Sequence, residues 1–244
     1  MRPGVVAAVL SASLLVPGVP GVPGAAPAGG SGSRPLPARM ADTGGGTQLI
    51  TAVAPGPGST TGRVTWWDRR GAGGGRWVKA GSAPARFGAG GLTDGATRTQ
   101  GTSTTPTGLY DLPYAFGIRA APRGTAYRYR AVRADSWWCQ DNDARAYNRW
   151  TEPRPADCRA TEAEHLITYS AQYAHALVVG FNYERPVRGR GAGIFLHVNG
   201  EGATAGCVSV PAEAMRRILR WADPAAAPHI AIGTSGGATA ITRY

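Results

Sequence analysis

Two side chains in the C-terminal part of the chain have the types and placement to do chemistry. His197 lies inside the apolar run Ile194-Phe195-Leu196-His197-Val198, and Cys207 follows it at the end of Gly200-Glu201-Gly202-Ala203-Thr204-Ala205-Gly206. A thiol with an imidazole in reach is a nucleophile with its base, the pairing that supports acyl transfer through a thioester. Taken singly, a cysteine between strand and helix is more often a small buried hydrophobe, and a histidine in an apolar strand a hydrogen-bonded core residue. Cysteine arithmetic tips the balance. The sequence holds 3 cysteines, and in an oxidising compartment paired cysteines are staples while the odd one is a free thiol or an intermolecular bridge. Cys139 and Cys158 flank one loop-like segment rich in Asp, Asn, Arg and Pro and are expected to pair. Such a closure is worth roughly 3 kcal/mol on the chain-entropy account. Cys207 is then the free thiol and the expected nucleophile, with His197 as its base.

The stretch from Ile194 to Pro211 reads as strand, Gly-bearing turn, second extended piece and helix start. If the turn holds an odd number of residues, such as Gly200 to Thr204, His197 and Cys207 face each other with Cβ atoms about 5 Å apart. An even number sends them to opposite faces, and a bulge at either glycine changes the parity. Cys207 also stands just before a helix expected to start at Pro211, whose unsatisfied N–H groups would stabilise a thiolate and lower its pKa. Backbone N–H groups around Gly206 and Cys207 are the expected oxyanion donors.

At these residues the sequence resembles the L,D-transpeptidase catalytic domain family, which has a strand-borne His, then Ser or Thr, His, Gly, Cys, a small apolar residue and Arg. His197, Thr204, Gly206, Cys207 and Val208 follow that order. Upstream, Thr105-Pro106-Thr107-Gly108-Leu109-Tyr110 is similar to the family's Thr-Pro-x-Gly-x-aromatic element, which Pro and Gly also explain as a turn into a strand. The resemblance, by order of elements, covers roughly residues 48–233. It implies attack by Cys207 on the carbonyl of the third stem-peptide residue of peptidoglycan, loss of the terminal D-Ala, and transfer of the acyl group to a diamino-acid amine. His197 would shuttle the proton, and Thr204, Gly206, Val208 and Ser209 would form the substrate and oxyanion surroundings. Three departures stand out: Ala205 replaces the family's second His, Ser209 replaces its Arg, and the interval from His197 to Cys207 is short. Those changes fall on groups that orient substrate, so a secreted thiol hydrolase on the same scaffold and a non-catalytic wall-binding module are the competing readings.

The elements that must position these residues read as a mostly β domain with one or two helices, an α+β, β-sandwich-like single domain over 47–244. Short strand-like segments at 48–53, 63–68, 76–79 and 128–132 are bounded by Gly, Pro and Asp clusters. The apolar runs at 175–183 and 193–199 read as central strands covered on both faces, and 229–232 as a last strand. From Pro211, Met215, Ile218, Leu219 and Ala222 form one helical stripe and Arg216, Arg217 and Arg220 the other; a shorter helix is expected at Thr161 to Ser170. Upstream, Met1-Arg2-Pro3-Gly4 and the apolar stretch Val5 to Val16 have the shape of a signal peptide over 1–28, too short to remain as a membrane anchor. Residues 29–46, Gly, Pro and Ala-rich, read as a disordered tether. The expected location is therefore the cell wall or the medium.

The net charge is +11, nearly all of it arginine, with Lys79 the one lysine. That charge fits anionic cell-wall polymers as partners. Nucleic acid is not expected, because no recognised binding motif accompanies the charge. His165, His175 and His229 lack metal-ligand spacing, so neither a metal nor another cofactor is expected. Glu162, Glu164 and Glu201 form no evident acid–base pair for glycoside cleavage. Tyr173 and Asn182 flank an apolar strand and are candidates to face the site, and Trp137 and Trp138 to pack over the disulfide.

Overall fold

The computed structural model describes residues 34–71 and 75–237; the expected signal peptide and the first part of the expected tether lie outside the described residues. The remainder of that segment, 34–46, runs to the domain through a 3-10 turn at Leu36–Arg39 that buries Pro37, and the N–H of Thr47 donates to the Ala226 carbonyl at 2.9 Å. The strands in chain order are β1 (Gln48–Ala54), β2 (Thr61–Arg70), β3 (Arg76–Arg86), β4 (Leu92–Asp94), β5 (Thr105–Asp111), β6 (Ala115–Gly117), β7 (Tyr129–Ala131), β8 (Trp137–Cys139), β9 (Arg149–Thr151), β10 (Ala163–His165), β11 (Ala176–Val178), β12 (Phe195–Val198), β13 (Val208–Val210) and β14 (His229–Thr234), with helix α1 (Ala212–Trp221) between the last two. Eleven of them form one sheet in the order β4-β5-β14-β1-β2-β3-β13-β12-β11-β6-β7, and β10-β8-β9 form a second. The domain is mostly β with a single α-helix among the described residues. No helix among them is long and apolar enough to cross a membrane.

The helix expected at Thr161 to Ser170 does not form. That stretch is a 3-10 turn at Ala160–Glu162, strand β10, and a second 3-10 turn at Leu166–Thr168. Its backbone is claimed by β8, with Ala163 opposite Cys139 and Glu164 opposite Trp138; such pairing overrides local propensity. The helix near Pro211 does form, one residue later than read, with Pro211 at its N-cap. Ala214, Met215, Ile218 and Leu219 are its buried stripe, and Arg216 and Arg220 turn outward to pair with Glu213.

Period-two alternation places the site. On β12 and β13, Leu196, Val198, Val208 and Val210 enter the main core together with Met215, Ile218 and Leu219 of α1. Phe195 points the other way, into a second cluster with Phe116, Trp138, Trp150, Tyr173 and Cys207. There the small sheet is laid on the large one in sandwich fashion: Trp138 meets Phe195 edge-on at 4.8 Å and Trp150 meets Phe116 at 5.4 Å. The small sheet is stapled by the expected disulfide, Cys139 to Cys158, and both residues are fully buried. Beside it the Arg159 guanidinium forks onto Asp141, with Nε at 2.8 Å and Nη2 at 2.7 Å from its two oxygens.

Candidate active site

Successive strands β12 and β13 are parallel, with Leu196 opposite Val208 and His197 opposite Ser209. The connection between them is therefore a loop that returns the chain to the start of the strand, and not the hairpin for which loop parity would set the facing. Carrying the register back one position sets Cys207 beside Phe195, whose N–H donates to Sγ at 3.3 Å. Cys207 and His197 thus share a face but are offset by two residues along it, roughly 6 to 7 Å at the rise of a parallel strand. No hydrogen bond joins them; the thiol donates instead to the Gly193 carbonyl at 3.3 Å.

The sulfur is the one free cysteine among the described residues. Burial pushes its pKa up to about 12, with the Glu164 carboxylate adding to the rise and the Phe195 N–H and the Arg98 guanidinium opposing it. The helix start was expected to lower that pKa. Strand β13 intervenes between Cys207 and α1, and a helix terminus acts only over its first turn, so desolvation wins.

His197 is 6% exposed, and burial pushes its pKa down to about 4 against the hydrogen bond to Val198. Nδ1 lies 2.7 Å from the Val198 carbonyl. A carbonyl only accepts, so the ring proton is assigned to Nδ1 and Nε2 is left bare, the tautomer a base requires. The Tyr173 ring stands edge-on to the imidazole at 5.6 Å, and Tyr173 donates its hydroxyl proton to Glu164 Oε2.

The loop before Cys207 is held from two sides. Thr204 Oγ1 donates to the Cys207 carbonyl at 2.6 Å and accepts from the Gly206 N–H at 3.1 Å. Thr105, first residue of the upstream motif, donates to the same carbonyl at 3.3 Å and accepts from the Gly88 N–H at 2.8 Å. The two motifs therefore meet on the carbonyl of one residue. Farther along the loop, Arg86 gives Nη1 to the Gly200 carbonyl at 2.6 Å and to that of Gly202 at 3.1 Å. Arg86 is also the residue opposite Ser209 on the neighbouring strand.

Two cavities meet at the sulfur. One, of about 180 Å³, is lined by His197, Tyr169, Gln172, Tyr173, Glu201 and Thr204 among others. The other, of about 170 Å³, is lined by Arg98, Gln100, Ser103, Gln140, Gly193 and Ile194 among others. Cys207, Ala205 and Glu164 line both. Glu164 accepts from Gln140 Nε2 at 2.6 Å as well as from Tyr173, and burial raises its pKa in opposition to these bonds.

Two of the residues expected around substrate line neither cavity. Val208 is fully buried in the core under α1, because alternation turns it away from the face that carries Cys207. Ser209 is buried and donates to Asn199 Oδ1 at 2.8 Å, and it lines neither cavity. Asn182 is likewise occupied, donating to the Val187 and Gly191 carbonyls, whereas Tyr173 does face the site. Sequence reasoning missed Arg98 and the place of Glu164. The first lies in a Gly- and Thr-rich loop with no motif around it, and the second on a strand that reads locally as helix. No group of His, Cys, Asp and Glu among the described residues could hold a metal.

A mostly β domain whose free thiol and bare imidazole nitrogen open on one cavity has the layout of a cysteine transpeptidase. Residues 59–232 match the L,D-transpeptidase catalytic domain, YkuD, and the chain belongs to that family of peptidoglycan-acting cysteine transpeptidases. The match spans both motifs and every residue lining the two cavities. No curated protein matches the chain significantly.

Proposed function

We propose that this protein is a secreted peptidoglycan transpeptidase that works through a thioacyl-enzyme, with Cys207 as nucleophile and His197 as proton carrier. The observation that supports this most directly is that sulfur and imidazole lie on one face of adjacent strands and open on the same cavity, with Nε2 as the acceptor nitrogen. Secretion is supported by the disulfide, which needs an oxidising compartment, and by the signal-like first 28 residues.

With the thiol at about 12 and the imidazole at about 4, a standing thiolate–imidazolium pair is not populated. The proton must leave sulfur as the carbon–sulfur bond forms. Donor binding brings the scissile carbonyl carbon to Sγ, the thiol proton passes to Nε2, and the carbonyl becomes an oxyanion. Of the two expected oxyanion donors the Gly206 N–H is engaged by Thr204, so the Cys207 N–H is assigned that part. Collapse expels the terminal D-residue, whose amine takes the proton from Nε2. In the second half an acceptor amine gives a proton to Nε2, attacks the thioester and releases Cys207, which is reprotonated.

Mass spectrometry after exposure to a tetrapeptide donor or a carbapenem is expected to show one adduct, on Cys207, and none in Cys207→Ala. Equal labelling of the two proteins sinks the proposal. His197→Ala is expected to slow acylation by about 10²- to 10⁴-fold, the usual worth of a positioned base. A hydrolase reading draws support from Ala205, exposed where the family carries a His and lining both cavities. Supplying a diamino-acid amine separates the readings, since a hydrolase yields no cross-linked product.

A further inference from the structure

A third cavity, of about 160 Å³, shares no lining residue with the two that meet at Cys207. Among the described residues it is lined by Tyr114, Arg128, Arg130, Arg149, Trp150 and Tyr183. Three guanidiniums and two phenols therefore face one recess, and no carboxylate is among those residues. The topology brings them together. Arg130 is on β7, an edge strand of the large sheet, and Arg149 and Trp150 are on β9, an edge strand of the small one. Tyr114 and Arg128 stand one residue before β6 and β7, which pair in parallel.

Like charges in one recess repel, and the fold holds these in place. The guanidinium carbon of Arg130 lies 4.3 Å from the centre of the Trp150 ring and that of Arg149 lies 4.7 Å from the centre of the Tyr183 ring. Aromatic faces thus carry two of the cations. Arg149 gives Nη1 to the Asn148 carbonyl at 2.9 Å and Nη2 to the Glu184 carbonyl at 3.3 Å. Carbonyl dipoles orient a cation without neutralising it. Arg130 Nη2 meets Glu152 Oε2 at 2.8 Å, and the Ser136 hydroxyl donates to the other oxygen of that carboxylate. Of the three guanidiniums, Arg130 alone meets a carboxylate among the described residues. Two positive charges are left uncompensated in a concave site, where the walls focus the potential on whatever enters. Burial, then Tyr183, push the Tyr114 pKa up against Arg130 and Arg128, so its hydroxyl stays a donor instead of becoming a phenolate that would cancel charge.

We propose that this cleft is an anion site, separate from the catalytic centre, that takes a phosphoryl group joined to a sugar or polyol, as in the repeating unit of a phosphodiester wall polymer. A carboxylate is planar, and a single guanidinium fork satisfies it. Here donors from three guanidiniums and a phenol converge on one recess, and a tetrahedral phosphoryl group presents oxygens to several of them at once. The rings of Tyr114 and Tyr183 on the same walls give the adjoining carbons an apolar surface. Arg128 is exposed while Arg130 and Arg149 are half-buried. The site is therefore recessed, which suits a group carried on a flexible chain better than a headgroup lying flush in a bilayer. The net charge acts on such polymers at long range without any cleft; the cleft adds recognition at contact.

Calorimetric titration of the purified protein at a fixed ionic strength of about 0.15 M tests this, with glycerol 3-phosphate and succinate as ligands. Glycerol 3-phosphate is expected to saturate one site and to bind about 10-fold more tightly than succinate, the worth of one further charge-assisted contact. Arg149→Gln is expected to weaken it by about 10- to 100-fold, the range of one charge-assisted hydrogen-bonded pair. Arg217→Gln removes the same charge from an exposed position on α1 and is expected to leave the affinity unchanged. Equal loss in the two variants reduces the effect to net charge and overturns the proposal. Equal affinity for succinate, or unchanged affinity in Arg149→Gln, overturns it as well. If Arg149→Gln does not fold by circular dichroism, Arg128→Gln, at an exposed position, carries the same comparison. A short poly(glycerol phosphate) and vesicles containing phosphatidylglycerol separate the sources of the phosphoryl group. The polymer is expected to bind with the same dependence on Arg149; if the vesicles show that dependence and the polymer does not, the ligand is a membrane headgroup and the polymer assignment is wrong. None of these readouts uses acylation of Cys207, so this proposal and the transpeptidase reading fail separately.

Discussion

At the scale of single residues, desolvation decides the charge state of the site. Both members of the pair are neutral at rest, because burial raises the pKa of Cys207 and lowers that of His197. Two consequences can be measured. Alkylation of Cys207 by iodoacetamide in the unliganded protein is expected to be slow at pH 7 and to climb without a plateau up to pH ~10, since the thiolate fraction grows about tenfold per pH unit below the pKa. A plateau near pH 7 would mean a standing thiolate and contradict a neutral resting pair. The acid limb of kcat/KM is expected near pH 4, where His197 protonates, and not near the ~6.5 of an unperturbed imidazole. The same shift bears on stability. The unfolded chain binds this proton near pH ~6.5 and the folded chain near 4, so the contribution of neutral His197 is complete above ~6.5 and is lost as pH falls toward 4. Chemical denaturation at pH 7 and pH 4.5 should give a lower midpoint at the acid pH, a change that is smaller in His197→Gln.

Among the elements, the parallel pair β12 and β13 is the positioning device, braced beneath by α1 and above by the disulfide-stapled small sheet. Leu219 is fully buried in the cluster under the pair. Leu219→Ala is expected to destabilise the domain by about 2 to 5 kcal/mol, a large-to-small change that leaves a cavity, read as a lower midpoint in denaturant. Reduction of the staple, or Cys139→Ser with Cys158→Ser, is expected to cost about 3 kcal/mol on the chain-entropy account. Because β10 carries Glu164 to the cavity wall, the same double variant should also lower acylation of Cys207. An unchanged acylation rate in a destabilised protein would detach the small sheet from the site.

On the scale of the whole molecule, the net charge of +11 supports the proposal that anionic wall polymers attract the protein at long range, with no dedicated site. Sedimentation with isolated sacculi is expected to weaken as ionic strength rises from about 0.1 to 1 M, where the Debye length shortens from about 10 Å to about 3 Å. Cys207→Ala should sediment like the parent, since charge and not acylation drives the association. Salt-independent binding would point to a shaped recognition surface instead. The arrangement of the two cavities belongs to this scale too. The loops around Arg98, the end of β12 and the small sheet converge on one sulfur from distant parts of the chain.

Sequence by itself determined the residue types and the local patterns. The odd cysteine, the partner pair Cys139 and Cys158, the two motifs, the strand-length apolar runs and the amphipathic stripe of α1 are all local features of composition and period. Tertiary structure alone decided that β12 and β13 run parallel, that Val208 turns into the core, that Ser209 is held by Asn199 and lines neither cavity, that residues 163–165 become a strand, and that Arg98 and Glu164 flank Cys207. The reason is physical. Hydrophobic period reports which face of a segment is buried, but strand partners, desolvation and the balance of buried charge arise from groups far apart in the chain, and no local pattern encodes them.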